Sequence, residues 1–567
     1  MFKGHPKGLY VAFFANMGER FGYYTMLAIF VLYLQARFGF STSEAGTYYG
    51  GFLFGIYFLP ILGGVIADKW LGYGKTIITG IIIMFAGYLL LALPGFIQGT
   101  GKVMIISALA VISLGTGLFK GNLQALVGKM YDDPKYSANR DNAFNIFYMG
   151  INIGAFFAPS AATAVVNAIL KAKNFVYENS IPYLSNLYRD GVNGAHPFLD
   201  QMTTTMKSAF PGTLSYADKL AQYAKEMGFS GSLSDFTSQY TSTLSTSYSA
   251  GFAVAAASMI LSFIIFVGFK KYYKHADISE SEKAKNKDLQ DQVIELSPEE
   301  TKKRLIALGL VMFVVMFFWM AFHQNGFTMT IFARDYTMSK VSRFTYLFFD
   351  LKTFIPILAS LGGLIFILRK NIDKKSRLIG SLIFVAGAAV TYYFYSGLDP
   401  VQKIEPQLFQ HFNPIFIVFL TPIIVGFFTK LREKGKEPSS PKKIGIGMII
   451  TGIGFLILML GSFKLQTVLS LSPYWLISTY FTLTIAELFL SPIGISFVSK
   501  VSPPKYVGLA QGGWLGATAF GNLLAGLVGK LWDIVELWQF FLLLVILTLL
   551  SAVFIFSILK ILEKATK

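Results

Sequence analysis

Asn16, Glu19, Arg20, Tyr23, Tyr24 and Leu27 recur at i, i+3, i+4, i+7, i+8 and i+11 in a stretch that is otherwise apolar from Leu9 to Leu34. That spacing predicts one face of a helix, and the run is long enough to cross a bilayer. An acid, a base and two phenols on one stripe can bind a polar solute and move a proton. A charge at bilayer depth costs about 2.5–3.5 kcal/mol on insertion scales, so these groups must face a cavity or another helix. The plain structural alternative is a helix-packing ion pair between Glu19 and Arg20, but adjacent side chains leave a helix in different directions, so separate partners are the favoured expectation.

Other ionisable groups stand inside apolar runs. Lys120 lies between Gly117-Leu118-Phe119 and Gly121-Asn122, too far from either end to snorkel. Glu487 is the clear intramembrane acid of the second half, and its structural alternative is a salt bridge to a basic neighbour. Arg20 and Lys120 thus put cations in the first half, and Glu487 puts an anion in the second. A zwitterion with its carboxylate and ammonium a few ångströms apart is compatible with that layout. Tyr23, Tyr24, Tyr57, Phe147 and Trp514 offer aromatic walls that tolerate varied side chains. Asn152 and Asn413 can hydrogen-bond amides. His323 adds a side chain whose type, unperturbed, changes charge near neutrality.

These residues need a scaffold, and composition names its class. The chain has 567 residues, 54% of them hydrophobic, which is more than soluble domains carry. Helices are predicted at 8–35, 45–67, 75–95, 102–128, 141–170, 249–270, 303–333, 351–368, 376–396, 408–430, 442–462, 471–498, 505–529 and 536–562. The expectation is an all-α membrane protein with about 14 transmembrane helices. Basic clusters at Lys69 and Lys75, Lys129 to Arg140, Lys270 to Lys274, Arg369 to Arg377 and Lys430 to Lys443 fall on one side if both termini are cytoplasmic. The formal charge of +18 is then a topology signal with some attraction to anionic lipid, and nucleic acid is not the partner. The Leu9 run is too long for a cleaved signal and lacks a small-residue cleavage site. Without cysteine there are no disulfides and no thiolate metal site. No His-Glu-x-x-His and no paired intramembrane aspartates are present, so neither a cofactor nor an enzyme is expected.

Residues 271–302, with Ser279, Ser281, Asn286 and Gln290, read as a cytoplasmic linker between halves 1–270 and 303–567. Residues 171–248 read as an extracytoplasmic insertion of short helices, a structural lid or cap. Residues 351–396 read as an inserted hairpin, apolar all round and therefore facing lipid, with Gly362, Gly363, Gly380 and Gly387 suited to close packing.

The motifs carry a resemblance. Glu19-Arg20-Phe21-Gly22-Tyr23-Tyr24 resembles the first-helix signature of the proton-dependent oligopeptide transporter (POT) family of the major facilitator superfamily. Gly63-Gly64-Val65-Ile66-Ala67-Asp68-Lys69 resembles the superfamily's loop motif, a gating device that assigns Gly64 and Asp68 to gating. Lys120-Gly121-Asn122 stands where the family has Lys-Pro-Asn. Arg140 to Asn152 resembles its second signature, Phe318-Trp319-Met320-Ala321-Phe322-His323-Gln324 its Phe-Trp-x-x-x-Glu-Gln, and Gln410-His411-Phe412-Asn413-Pro414 its Gln-x-x-Asn-Pro. Glu487 to Pro492 and Gly513-Trp514 through Thr518 to Asn522 are similar to its tenth and eleventh core helices.

The resemblance implies a major facilitator fold of two six-helix bundles, here with an added pair, and alternating access around a midplane cavity. It implies uptake of di- and tripeptides driven by protons. The substrate would meet Arg20, Tyr23, Tyr24, Tyr57, Lys120, Phe147, Asn152, Trp319, Asn413, Glu487, Trp514 and Thr518. Glu19, Arg20, Lys120, His323 and Glu487 would serve coupling. The chain departs from the family where coupling is concerned. Asn16 replaces an acid, Leu27 an arginine and His323 a glutamate. That arginine and that glutamate pair in relatives, and losing one alone would strand a buried charge at about 3–5 kcal/mol. Losing both suggests a rebuilt gate. Either His323 or Glu19 then carries the proton, or transport is uncoupled and His323 is a neutral hydrogen-bonding residue. A peptide sensor that binds without transporting, using 171–248, is the reading from another class. Oligomeric state is not specified.

Overall fold

The computed structural model describes residues 4–95, 101–137, 139–178, 180–189, 216–277, 296–369, 372–503 and 506–565. Most of the linker, with Ser279, Ser281, Asn286 and Gln290, and residues 190–215 of the insertion lie outside them.

The first half contains α1 (Lys7–Phe38), α2 (Thr42–Ile66), α3 (Tyr73–Ala92), α4 (Lys102–Lys129), α5 (Arg140–Ala172) and α6 (Leu233–Gly268). The second contains α7 (Pro298–Phe322), α8 (Leu351–Leu368), α9 (Lys374–Ser396), α10 (Phe412–Glu433), α11 (Ser440–Lys464), α12 (Tyr474–Val501), α13 (Val507–Gly529) and α14 (Leu537–Ser557). Among the described residues, 12 helices are long and apolar enough to span a membrane. Lys7–Phe38 and Val507–Gly529 are of spanning length but fall outside that set, so the expected count of about 14 is met in part.

Three helix boundaries differ most from expectation, and a short strand pair is added. Helix α6 begins at Leu233, capped by Ser232 and Asp235, so the last turns assigned to the insertion belong to a long spanning helix. The seventh helix does not run on through 333. It ends at Phe322, makes a 3₁₀ turn over His323–Gly326, and restarts as Thr328–Asp335. Gly326 in that turn abuts the Tyr49 hydroxyl, where a Cβ would come within 2.6 Å. Residues 408–411 belong to a 3₁₀ stretch, Pro406–His411, and only then does α10 start. Two short strands, Lys340–Ser342 and Val401–Lys403, pair antiparallel and clamp the two ends of the hairpin insertion together.

The hairpin pairs α8 with α9 through backbone contact. A Cβ on Gly363 would meet the Gly380 carbonyl oxygen at 2.7 Å, and one on Gly387 would meet that of Pro356 at 2.7 Å. Gly362 faces open space, so it takes no part in that packing. Most of the hairpin's apolar side chains are exposed, as a lipid-facing pair requires.

The halves meet along two seams, α2 against α13 and α5 against Pro406–His411 and α10. Both seams are tight at the end that carries the insertion. A Cβ on Gly50 would lie 2.9 Å from the Gly526 Cα. At the linker end α2 and α13 part: Cβ atoms on Gly512 and Gly516 would approach Ile61 only to 3.7 Å and 4.0 Å, and Gly508 faces open space. The molecule is therefore closed at the insertion end, with the seam loosening toward the linker.

Candidate binding cleft

The α1 stripe is buried apart from the half-buried Tyr24, and Glu19 is completely covered. Its pairing follows the less favoured alternative, the ion pair with Arg20. The Arg20 guanidinium turns back along the helix and donates through Nε and a terminal nitrogen to both Glu19 carboxylate oxygens. Cβ directions separate neighbours on a helix, but Arg and Glu are long enough to curl together once burial removes water as the alternative partner. The guanidinium also lies 4.8 Å from the Tyr23 ring centroid, and Tyr23 packs edge-on against Tyr24. Gly154 lets α5 press on this turn, for a Cβ there would stand 2.9 Å from the Phe21 amide nitrogen.

Lys120 on α4 behaves differently. Its ammonium sits 3.6 Å from the centroid of Tyr57 on α2. A desolvated cation–π contact of this kind is worth about 2 kcal/mol, less than burying an ammonium costs, so Lys120 remains open to an anion. Tyr57 in turn contacts the His323 ring, with centroids 6.0 Å apart, which joins the two halves below the 3₁₀ turn. His323 Nδ1 is 3.2 Å from the Trp319 carbonyl oxygen, and the Trp319 indole N–H is buried without a hydrogen-bond partner. Tyr49, which sequence reasoning passed over, donates to the His323 carbonyl oxygen at 3.0 Å and stacks on Phe327.

Across the cleft, Glu487 on α12 accepts a hydrogen bond from Asn413 Nδ2 at 2.9 Å, and the same amide also donates to Thr484 at 3.1 Å. The salt-bridge alternative for Glu487 does not occur among the described ion pairs. Tyr24 and Tyr57 feel the charges of both Arg20 and Glu487, which puts the two walls within electrostatic reach of the same phenols. Lys120 likewise lies within reach of Arg20 and Glu19.

The remaining predicted residues are less converged. Asn152 donates to Tyr148 of its own helix at 3.2 Å, and Thr518 to the Trp514 carbonyl oxygen at 3.1 Å. Trp514 is buried against Gly494, where no Cβ would fit, and Phe147 is buried in the first half. Asp68 accepts from the Tyr73 hydroxyl within a π turn, Ala67–Leu71, near the linker end. Of the two glycines before it, Gly63 makes the close approach, to Gly117 of α4, and Asn122 donates to the Gly63 carbonyl oxygen at 3.0 Å. Gly64 faces open space.

Comparison with known proteins agrees with this fold. A family model described as the POT family matches residues 74–182 and 391–537. The chain is 26% identical over 558 residues to the peptide transporter YePEPT of Yersinia enterocolitica, covering 93% of this chain and 88% of that protein. It is 27% identical over 524 residues to dipeptide and tripeptide permease A of Escherichia coli, covering 92% and 84%. A crystal structure of a mutant of peptide transporter POT in complex with sulfate superposes with a TM-score of 0.66 over 100% of this chain and 96% of the other, at 21% identity. A POT family transporter in complex with 5-aminolevulinic acid gives 0.65 at 20% identity, over 100% and 98%. The fold is that of the major facilitator superfamily, the chain carries multiple membrane-spanning helices, and its sequence is similar to that of POT family transporters.

Proposed function

We propose that this protein imports di- and tripeptides by alternating access, with the peptide ammonium held by Glu487 and its carboxylate by Lys120 beside Arg20. The observation that carries the reading is the opposed pair of unbridged charges. Lys120 rests on an aromatic ring in the first half, and Glu487 is held only by an amide donor in the second. A charge left without a counter-ion at this depth is costly and is retained where a ligand supplies the counter-ion. Arg20 is already neutralised by Glu19, so it contributes as half of an ion pair whose acid can be freed when the peptide carboxylate arrives. The names of the relatives support the substrate class.

Both termini and the linker are cytoplasmic in this reading, and the insertion is outside. The α2–α13 seam loosens toward the linker, which in this reading is the cytoplasmic side. Counterflow of labelled dipeptide in liposomes tests the function: uptake by the wild-type protein and its near loss in Glu487→Gln support it, whereas binding without exchange would favour the sensor. Proton coupling is the narrower claim. Asn16, Leu27 and His323 also suit uncoupled facilitation, because the ion pair expected from relatives has neither partner here.

A further inference from the structure

The gate at the insertion end has no Arg–Glu pair between Leu27 and His323, yet hydrogen bonds between the halves gather there. Lys403, in the strand after the hairpin, donates to Glu178 Oε2 at 2.5 Å and to the Tyr177 carbonyl oxygen at 3.0 Å. Two residues on, Glu405 Oε1 accepts from Asn167 of α5 at 2.8 Å, and Gln407 donates to Thr163 at 2.9 Å. We propose that Glu178 and Lys403 form an electrostatic latch, backed by Asn167 and Glu405, that holds the insertion-end gate closed and takes the place of the missing intramembrane pair. This deepens the alternating-access reading and rests on it. It also gives the insertion a task, because Glu178 lies in its first segment.

Both latch segments are held rigidly. The Glu178 amide donates to the Tyr240 hydroxyl at 2.8 Å, and that hydroxyl donates to the Val176 carbonyl oxygen at 3.1 Å. Phe175 packs on Phe229, Phe236 and Tyr240. Tyr177 and Tyr248 share a hydrogen bond at 3.3 Å. On the other side Lys403 is fixed by strand pairing with Lys340, while the Ile404 amide donates to the Ser339 carbonyl oxygen at 2.8 Å. The backbone that carries each charge does not have to be ordered at the moment of closure, which removes part of the entropy that makes surface pairs weak. The Glu178 side chain is 12% exposed and that of Lys403 is 29% exposed. Screening is therefore partial, and the pair keeps water access through which it can open.

The chain has no cysteine, so introduced ones are unique. Val176 and Val401 are exposed residues flanking the latch, one in each half. Spin labels at these two positions in the purified protein report gate separation whether or not peptide is transported. Glu178→Gln and Lys403→Gln should each shift the distance distribution to longer values, and the charge exchange Glu178→Lys with Lys403→Glu should return it to the short one. An unchanged distribution in both single variants overturns the latch, and so does failure of the exchanged pair to restore it in protein that elutes as a folded monodisperse peak. Loss of peptide uptake with intact latch behaviour would count against the substrate assignment alone.

Discussion

The Lys120 ammonium lies over the ring of Tyr57, 3.6 Å from its centroid, and Tyr57 reaches across to His323. One phenol thus holds the unbridged cation of the first half and touches the turn that interrupts the seventh helix of the second. The ring fixes the ammonium without neutralising it, which suits a group that must wait for a carboxylate.

Replacing that ring tests the arrangement. Tyr57→Phe keeps the π face, and dipeptide half-saturation should stay near the wild-type value. Tyr57→Leu removes it and should raise half-saturation about tenfold, the equivalent of roughly 1.4 kcal/mol. Concentration dependence of uptake distinguishes them. Equal values for the two variants would show that the ring does not position Lys120.

Glycines in the α2–α13 seam carry the second prediction. Gly526 packs on Gly46 and Gly50, so Gly526→Val should splay the closed end and destabilise the protein by about 1–3 kcal/mol. Gly64→Ala faces open space and should be neutral within about 0.5 kcal/mol. Thermal unfolding of the purified variants reads both. A stable Gly526→Val would mean that the seam tolerates separation.

Much of the cleft was legible before the fold was known, and the reasons are specific. Lys120 and Glu487 are charges within apolar runs, and periodicity placed Arg20, Tyr23 and Tyr24 on one stripe. The Glu19–Arg20 pair was legible only as the less favoured alternative, because helical spacing reports Cβ directions and not where long side chains fold back. The break at His323–Gly326 was hidden by hydrophobicity that continues on both sides. Glu178 and Lys403 are separated by 225 residues, and Glu405 sits in a short loop without a helical pattern, so only the tertiary structure brings them together. The start of α6 at Leu233 was masked by its Ser- and Thr-rich first turns, which look like a surface loop.

Closing the insertion-end gate should depend on pH through Glu405. Burial raises its carboxyl above the ordinary carboxylate range, against the Asn167 hydrogen bond and the nearby Lys403 charge, which pull it down. Tyr248 and Tyr346 are the other titratable groups in electrostatic reach of Glu405. The closed gate thus binds the Glu405 proton more tightly than an open, solvated one. Closure is favoured in acid and weakens as pH rises from the ordinary carboxylate value through the raised one. The label pair at Val176 and Val401 should lengthen over that window, and Glu405→Gln should flatten the response. A pH response that survives Glu405→Gln assigns it elsewhere.

Coupling turns on three replaced residues. An inward proton gradient in liposomes should drive weaker accumulation here than in a relative that keeps the Arg–Glu pair, and His323→Gln or Glu19→Gln should abolish what remains. If Asn16→Glu leaves accumulation unchanged and both other variants retain it in full, none of these positions carries the proton.

The central claim is that opposed charges on the two walls recognise the two ends of a peptide, and competition with end-blocked peptides measures it most directly. In liposomes, free dialanine should displace labelled dipeptide, N-acetyl-dialanine should fail for want of the ammonium that Glu487 holds, and the C-terminal amide should be weakened for want of the carboxylate that Lys120 holds. Competition by the acetylated peptide as strong as by the free one would contradict the account.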